Sequence, residues 1–336
     1  MVKVAILGAG INGLSCAVKI KENYPNIDVA LFSNEFTPNT TGDGCGGLWY
    51  PYLCGDTPEQ LLWKWGGETY KFIHKLWLEG GHDVTLMPLY ELYSDKQDLP
   101  VQDWASAVFG YRILDKKHLD YLSSISSNIY QSGRTFTTFI VYPPTMLSLL
   151  SERFKKANGT ILHSKINSFN DTQLDEYDII VNSLGLGARD VVPDQKLFPI
   201  RGQISRSSAP WINHIIFNDI GNYILPNVYN CVLGGTHQEN DFNTAIDDND
   251  TDFVIKGCKD MVPGIKHAKI LSHWVGLRPA RETIRLDSEQ KNGKLYIHNY
   301  GHGGSGLTLF WGCASDVLDI FDKHMAKNNH KLKSKL

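Results

Sequence analysis

The chain has 336 residues, 42% of them hydrophobic and 21% charged, with a formal net charge of −3. That length exceeds what one hydrophobic core usually fills, so two domains are expected. The charge balance lacks the basic stripe of a nucleic-acid binder, no apolar run approaches a membrane span, and the first residues lack the layout of a secretory leader.

Val4-Ala5-Ile6-Leu7 is a short apolar run of the kind that forms a buried parallel strand. Gly8-Ala9-Gly10-Ile11-Asn12-Gly13 follows, and the residues from Leu14 to Ile20 have helical apolar spacing. Val29-Ala30-Leu31-Phe32 predicts the next strand, completing a βαβ opening of about 30 residues. In that context G-x-G-x-x-G reads as a nucleotide turn. Gly8 permits the bend, Gly10 lets the backbone approach a pyrophosphate, and Gly13 lets helix and strand pack closely. The helix start adds unpaired N–H groups and a positive dipole. An acidic residue about 20 positions on usually holds the ribose. Ser33-Asn34-Glu35 stand there, with Asn34 or Glu35 as the ribose partner.

Residues 40–47 are rich in Gly and Thr and read as a loop. The aromatics from Trp63 to Leu78 recur at helical spacing, which points to core packing. Tyr177 to Asn182 is another buried strand, closed by Ser183-Leu184-Gly185-Leu186-Gly187. Residues 222–235 predict a hairpin carrying Tyr223, either a cleft residue or a core aromatic with its hydroxyl at the rim. The acidic stretch Asp247 to Asp252 lacks the Gly and Glu of a calcium loop, so a helix N-cap is expected. Arg278, between Leu277 and Pro279, calls for an anion: a bound carboxylate or an internal ion pair. Leu295 to His298 predicts a strand, and Gly301 to Gly306 a glycine turn feeding a helix, a second anion site. His298 and His302 have no third ligand at metal spacing, so no metal is expected. The six cysteines lack a C-x-x-C pair and read as free thiols. Ser334-Lys335-Leu336 match the peroxisomal import address. They predict an import receptor as partner and a matrix location, on an arm marked by Lys323, Lys327, Lys331 and Lys333.

Nucleotide-type signals thus occur at the start, middle and end of the chain. The expected fold is α/β: a Rossmann-like domain built from residues 1–50, 140–192 and 275–330. A β-rich substrate domain (51–139 and 193–274) is interleaved with it, and 331–336 form a targeting tail.

Together these residues resemble the D-amino-acid oxidase/D-aspartate oxidase family of flavoproteins. The marks span nearly the whole chain: the turn at 8–13, Phe36-Thr37-Pro38, Gly47-Leu48-Trp49, Arg201-Gly202-Gln203, Tyr223-Ile224-Leu225-Pro226, Leu233-Gly234-Gly235, Gly276-Leu277-Arg278-Pro279 and His298-Asn299-Tyr300-Gly301-His302-Gly303-Gly304. The resemblance implies non-covalent FAD across the Rossmann-like part, held by Gly8 to Gly13, Ser33 and Asn34. Thr40, Thr41, Gly47, Leu48, Ile166, Ser183, Gly185, Gly303, Gly304, Gly306, Leu307 and Thr308 match flavin-contacting positions. Arg278 and Tyr223 match the groups that hold the substrate carboxylate, and the Gly304 carbonyl matches a contact to its amine. Leu48, Tyr50, Leu225, His237 and Ser305 fall at the substrate pocket. The implied reaction passes hydride from the Cα of a D-amino acid to flavin N5, with positioning as the protein's task. The imino acid hydrolyses to a 2-oxo acid and ammonia, and O₂ reoxidises the flavin to yield hydrogen peroxide.

Several positions depart from the family. Asn34 replaces a usual Asp, Asp43-Gly44-Cys45-Gly46-Gly47 replaces a more Ala-rich loop, and Tyr50 replaces a frequent Gln. The connection from Trp211 to Tyr223 is too short for a long lid. His237 and Ile216-Phe217 stand where D-aspartate oxidases carry arginines. A second carboxylate needs a fixed cation, so neutral or polar D-amino acids are the expected substrates. The alternative is D-aspartate, with His237 as cation, although histidine ordinarily loses its charge near pH ~6.5. Arg281 and Arg285 are the next candidates. Two other readings are weaker. An NAD-dependent dehydrogenase leaves the C-terminal turn unexplained, and a catalytically silent flavin-binding protein need not keep Arg278 and Tyr223. A homodimer is left open.

Overall fold

Val4, Ala5, Ile6 and Leu7 have no solvent exposure, as a strand covered on both faces requires. In the computed structural model, which describes residues 2–333, they lie in β1 (Lys3–Leu7). The chain continues as α1 (Ile11–Asn23), β2 (Asp28–Ser33), α2 (Glu59–Glu79), β3 (Val84–Tyr93), β4 (Phe109–Ile113), α3 (Lys116–Ser124), β5 (Ser132–Val141), α4 (Pro143–Lys156) and β6 (Thr160–His163). Then come β7 (Ile179–Asn182), α5 (Ala188–Val191), β8 (Leu197–Ser208), β9 (Ile215–Asn218), β10 (Tyr223–Pro226), β11 (Cys231–Gly234), β12 (Gln238–Glu239), α6 (Asp248–Met261), β13 (Lys269–Lys291), β14 (Lys294–His302) and α7 (Gly306–Lys333).

Among the described residues, fourteen strands join one sheet. One part is parallel, in the order β14-β7-β1-β2-β6. Its strands come from the start, middle and end of the sequence, and α1 packs against both α4 and α7. The other part, from β4 to β8, is antiparallel except where β3 runs parallel to β9. β13 belongs to both parts. Lys269 to Arg281 pair with β8, and Arg285 to Lys291 pair with β14. Arg278 therefore sits where the two parts meet, two residues before Ala280, which faces His302.

One large core runs from Ile6 and Leu31 through Trp49 and Phe139 to Phe310 and Phe321. Each such side chain contributes about 1.5–3 kcal/mol on burial. The expected aromatic helix is α2, with Trp65, Phe72 and Leu76 buried and Phe72 stacked on Trp311 at 4.0 Å. The expected hairpin is β10–β11, with Tyr223 opposite Gly234. Asp247 caps α6 by accepting from the Asn249 and Asp250 amides, and Asp250 pairs with the buried Arg201.

Two expectations need correction. Gly301 and His302 are the last residues of β14 and not part of a turn: His302 pairs with Ala280 of β13, and Gly301, at φ +86°, takes up the register shift beside it. The turn is only Gly303 to Ser305. Residues 331–333 were expected in a tail, but α7 runs on to Lys333. Ser334-Lys335-Leu336 lie outside the described residues.

Candidate functional site

A cavity of about 560 Å³ runs from the start of α1 to the junction at β13, within the size range of cofactor sites. At one end lies the first glycine turn. Gly8 has φ +103°, and a Cβ there would fall 2.6 Å from the Ser183 carbonyl oxygen. A Cβ on Gly13 would meet the Gly8 carbonyl oxygen at 1.9 Å. Backbone packing thus requires both glycines, and Gly13 itself does not reach the cavity wall. Gly10 differs: its φ of −73° suits any residue, and a Cβ there would meet no protein atom within 4 Å. Gly10, Ile11 and Asn12 face the cavity. α1 has no side-chain cap and no acidic residue in its first turn. Its first N–H groups are therefore available to an anion.

Beyond the turn the wall is formed by Ser33, Asn34 and Glu35, then by Thr40 and Thr41. Asn34 and Glu35 are exposed at its edge. The Thr loop is folded by Asp43, which accepts from the Thr40 amide at 2.9 Å, the Thr40 hydroxyl at 2.7 Å and the Thr37 hydroxyl. In the sequence Asp43 stands out only as a departure from the family. Its local signal is the Thr40–Asp43 spacing of three. Ile166, Ser183 and Gly185 complete this side.

The second glycine turn closes the middle of the cavity with Gly303, Gly304, Gly306 and Leu307. The Gly303 amide donates to the Pro279 carbonyl at 2.8 Å. A Cβ on Gly306 would lie 3.6 Å from Asn12 Nδ2, so the starts of α1 and α7 converge. Four buried polar atoms of residues lining this region have no protein partner: Asn12 Oδ1, Ser183 Oγ, Asn299 Oδ1 and His302 Nε2. Such groups are rare in folded proteins, and their clustering here suits a polar ligand. Burial lowers His302 to about 4, so it contributes a neutral imidazole to the site.

At the far end Arg278 and Tyr223 face the cavity. Glycines make their space. A Cβ on Gly202 would lie 2.2 Å from Arg278 Nη1, and one on Gly234 would lie 2.0 Å from Tyr223 Cζ. Arg278 Nη1 donates to the Thr236 carbonyl at 3.1 Å. No carboxylate pairs with it among the described residues, and it is half-buried. The internal ion pair therefore fails as an explanation. Arg281 is held by Asp194 at 2.9 Å and Arg285 by Asp287 at 3.1 Å, so neither is free to serve the site. The Tyr223 phenol lies beside Arg278, and burial pushes it up to about 12, so it remains a hydrogen-bond donor.

Leu48, Tyr50 and Leu225 line the same cavity, as do three residues with no such expectation from the sequence: Tyr52, Phe217 and Trp274. The signal for Trp274 is the glycine on either side of its ring. A Cβ on Gly44 or Gly276 would strike it at 1.9 Å. Three expected wall residues are placed elsewhere. His237 is exposed, in the segment outside any strand that follows β11. Thr236 turns inward, its hydroxyl accepting from the Gln203 amide at 2.9 Å, while the His237 ring lies over Gly221 at the surface. Ser305 and Thr308 are buried behind the wall. The Ser305 hydroxyl accepts from the Tyr52 amide at 2.6 Å and donates to the Tyr52 carbonyl at 2.8 Å. Thr308 does the same for Tyr50, at 3.2 and 2.9 Å. Both hydroxyls act through the two tyrosines.

Residues 3–320 match the family model described as FAD dependent oxidoreductase. The chain is 37% identical to the D-amino acid oxidase of Dugesia ryukyuensis, over 94% of this chain and 96% of that protein. It is 32% identical to the D-aspartate oxidase of Homo sapiens, over 94% and 93%. Glycine oxidase from Bacillus cereus ATCC 14579 superposes with a TM-score of 0.79, covering 96% of this chain and 98% of that one. At 18% identity that likeness shows the fold alone.

Proposed function

From the premise that the chain belongs to the FAD-dependent oxidoreductase family, we propose that it converts D-amino acids, O₂ and water to 2-oxo acids, ammonia and hydrogen peroxide. The observation that carries this reading is Arg278, a guanidinium facing the cavity beside Tyr223 with no carboxylate partner among the described residues. The cavity fits FAD, because the space beyond Gly10 is empty of protein and unpaired polar atoms cluster between the two helix starts. Bound FAD supplies the two-electron acceptor and passes the electrons to O₂.

The chain's own residues bind and orient. The backbone from Gly10 to Asn12 holds the pyrophosphate, and Asn34 or Glu35 the ribose. Arg278 grips the substrate carboxylate through its free N–H groups, and Tyr223 donates a further hydrogen bond. These contacts fix Cα relative to the glycine turn at Gly303–Gly304, and such positioning supplies much of the rate. No acid or base at Cα is required of the protein.

The side-chain end is apolar. Leu48, Phe217 and Leu225 line it. Tyr50 presents its ring there, because its hydroxyl is tied to Glu91 at 3.1 Å and Arg134 at 3.0 Å. Neutral D-amino acids therefore suit it. The observation favouring an acidic substrate is Arg206. It stands over the ring of the wall residue Trp274 without itself lining the cavity, is half-buried, donates to the Gly44 carbonyl at 3.0 Å and lacks a carboxylate partner among the described residues. The test is kcat/KM for D-alanine, D-methionine and D-aspartate between pH 6 and 9. Neutral substrates should be favoured throughout. A pH-independent preference for D-aspartate that vanishes in Arg206→Met would replace this reading with the acidic one.

We also propose import into the peroxisome through Ser334-Lys335-Leu336. Deleting these three residues should leave turnover in vitro unchanged and leave a tagged protein in the cytosol. Peroxisomal fluorescence from the truncated protein would refute the address.

A further inference from the structure

A second cavity, of about 200 Å³, lies behind the substrate end of the first. Two residues, Tyr50 and Tyr52, line both cavities, so the wall between them is built on these two residues. The two are held very differently. Tyr50 is fixed at its hydroxyl by Glu91 and Arg134, and its ring packs on Trp104 with centroids 5.5 Å apart. Tyr52 is fixed only at its backbone, by Ser305. Its hydroxyl has no hydrogen-bond partner among the described residues. Its ring rests on Gly304, where a Cβ would fall 2.6 Å from Tyr52 Cδ1. Clamping the backbone while leaving the side chain untied permits rotation between staggered wells without disturbing the wall around it.

The chemistry of the second cavity limits what it accepts. Leu53, Leu62 and Trp104 supply apolar surface, and Gln102 an amide. The charge of Arg134 is matched by Glu91. Glu59, also in the wall, would repel a carboxylate. A neutral, mainly apolar group suits this space and an acidic one does not.

We propose that Tyr52 is a swinging partition, and that the smaller cavity is a distal subsite for the far end of a long, neutral D-amino-acid side chain. With a small substrate Tyr52 stays across the opening and completes the pocket. With a long one it turns aside, and the side chain continues past Tyr50 towards Trp104 and Leu62. The inference rests on the D-amino-acid reading above, since it concerns the same substrate.

The experiment compares D-tryptophan with D-alanine in FAD-loaded, full-length wild type, Tyr52→Phe, Tyr52→Ala and Leu62→Trp. Removing the ring should raise the D-tryptophan to D-alanine ratio of kcat/KM by roughly tenfold or more, the scale on which one or two methylenes of fit discriminate substrates. Tyr52→Phe should keep the wild-type ratio, because the ring and not the hydroxyl forms the partition. Leu62→Trp, which fills the subsite from its far wall, should lower the ratio in wild type and cancel the gain in the double variant with Tyr52→Ala. Binding is read separately by titrating the flavin spectrum with benzoate and 3-phenylpropanoate, where Tyr52→Ala should tighten only the longer acid. An unchanged ratio in Tyr52→Ala, or a ratio indifferent to Leu62→Trp, would overturn the proposal. Loss of all D-amino-acid turnover in wild type would instead strike the underlying reading, and the two carboxylic acids would still report on the partition.

Discussion

Arg278→Ala is expected to lower kcat/KM for the best D-amino acid by roughly a hundredfold or more, with FAD content unchanged. Removing one partner of a desolvated charge pair typically costs about 2–5 kcal/mol, and tenfold corresponds to about 1.4 kcal/mol. The physical reason is the vacancy in the guanidinium's own bonding. Arg278 is tied to one carbonyl at 3.1 Å and, among the described residues, to no carboxylate, so an anion from outside the protein is the expected partner. Arg278→Lys should recover part of the loss, since it restores charge without the two-pronged geometry. Gly202→Ala offers an independent check. Its Cβ would lie 2.2 Å from Nη1, so it should displace the guanidinium and weaken the substrate while leaving the arginine in place. Steady-state rates with a flavin absorbance measurement on each variant decide the matter. Near-normal kinetics in Arg278→Ala would mean that another group holds the carboxylate.

What was legible in the sequence follows from how local each signal is. The β1–turn–α1 unit was readable because strand, glycines and helix are contiguous, and Gly13 answers to Gly8 five residues before it, although Gly8 also answers to the distant Ser183. The role of β13 was not. A strand of 23 residues that pairs with β8 at one end and β14 at the other is set by partners far away in sequence. The substrate end shows the same limit. Arg278 and Tyr223 were found by motif, yet the glycines that seat them, Gly202 and Gly234, lie on other strands.

His237 lies in an irregular segment after β11, where motif position does not encode which way a side chain turns when the preceding Thr236 is buried. Ser305 and Thr308 occupy the right stretch of chain but face the backbone of Tyr50 and Tyr52. Side-chain direction at the start of a helix depends on what packs against it. Here that is a segment about 250 residues earlier in the chain. Phe217 and Tyr52 carried no local signal: each is an ordinary aromatic until the tertiary fold brings it to the cavity.

Gly10→Ser is expected to give a folded protein that no longer retains FAD. Three glycines share the first turn, and the structure separates their reasons. Gly8 and Gly13 are demanded by the protein itself, through a φ of +103° and through a Cβ contact of 1.9 Å with backbone. Gly13→Ala should therefore destabilise the apoprotein. Gly10 is demanded by neither. It is the N-cap of α1, with φ −73° and ψ 178°, a conformation in which serine is among the best residues. A serine there should leave the apoprotein as stable as wild type or slightly more so. Its Cβ, however, would enter the space the pyrophosphate needs, and its hydroxyl would take the N–H groups that otherwise meet the phosphate oxygens. Losing about two charge-assisted hydrogen bonds costs about 3 kcal/mol or more, so FAD affinity should fall by roughly a hundredfold or more. Apoprotein melting, with and without added FAD, and flavin fluorescence titration measure the two effects separately. Wild type should gain Tm on adding FAD, Gly10→Ser should start at the wild-type apo value and gain nothing, and Gly13→Ala should start lower. A Gly10→Ser protein that binds FAD with wild-type affinity would show that the dinucleotide does not pass over this turn.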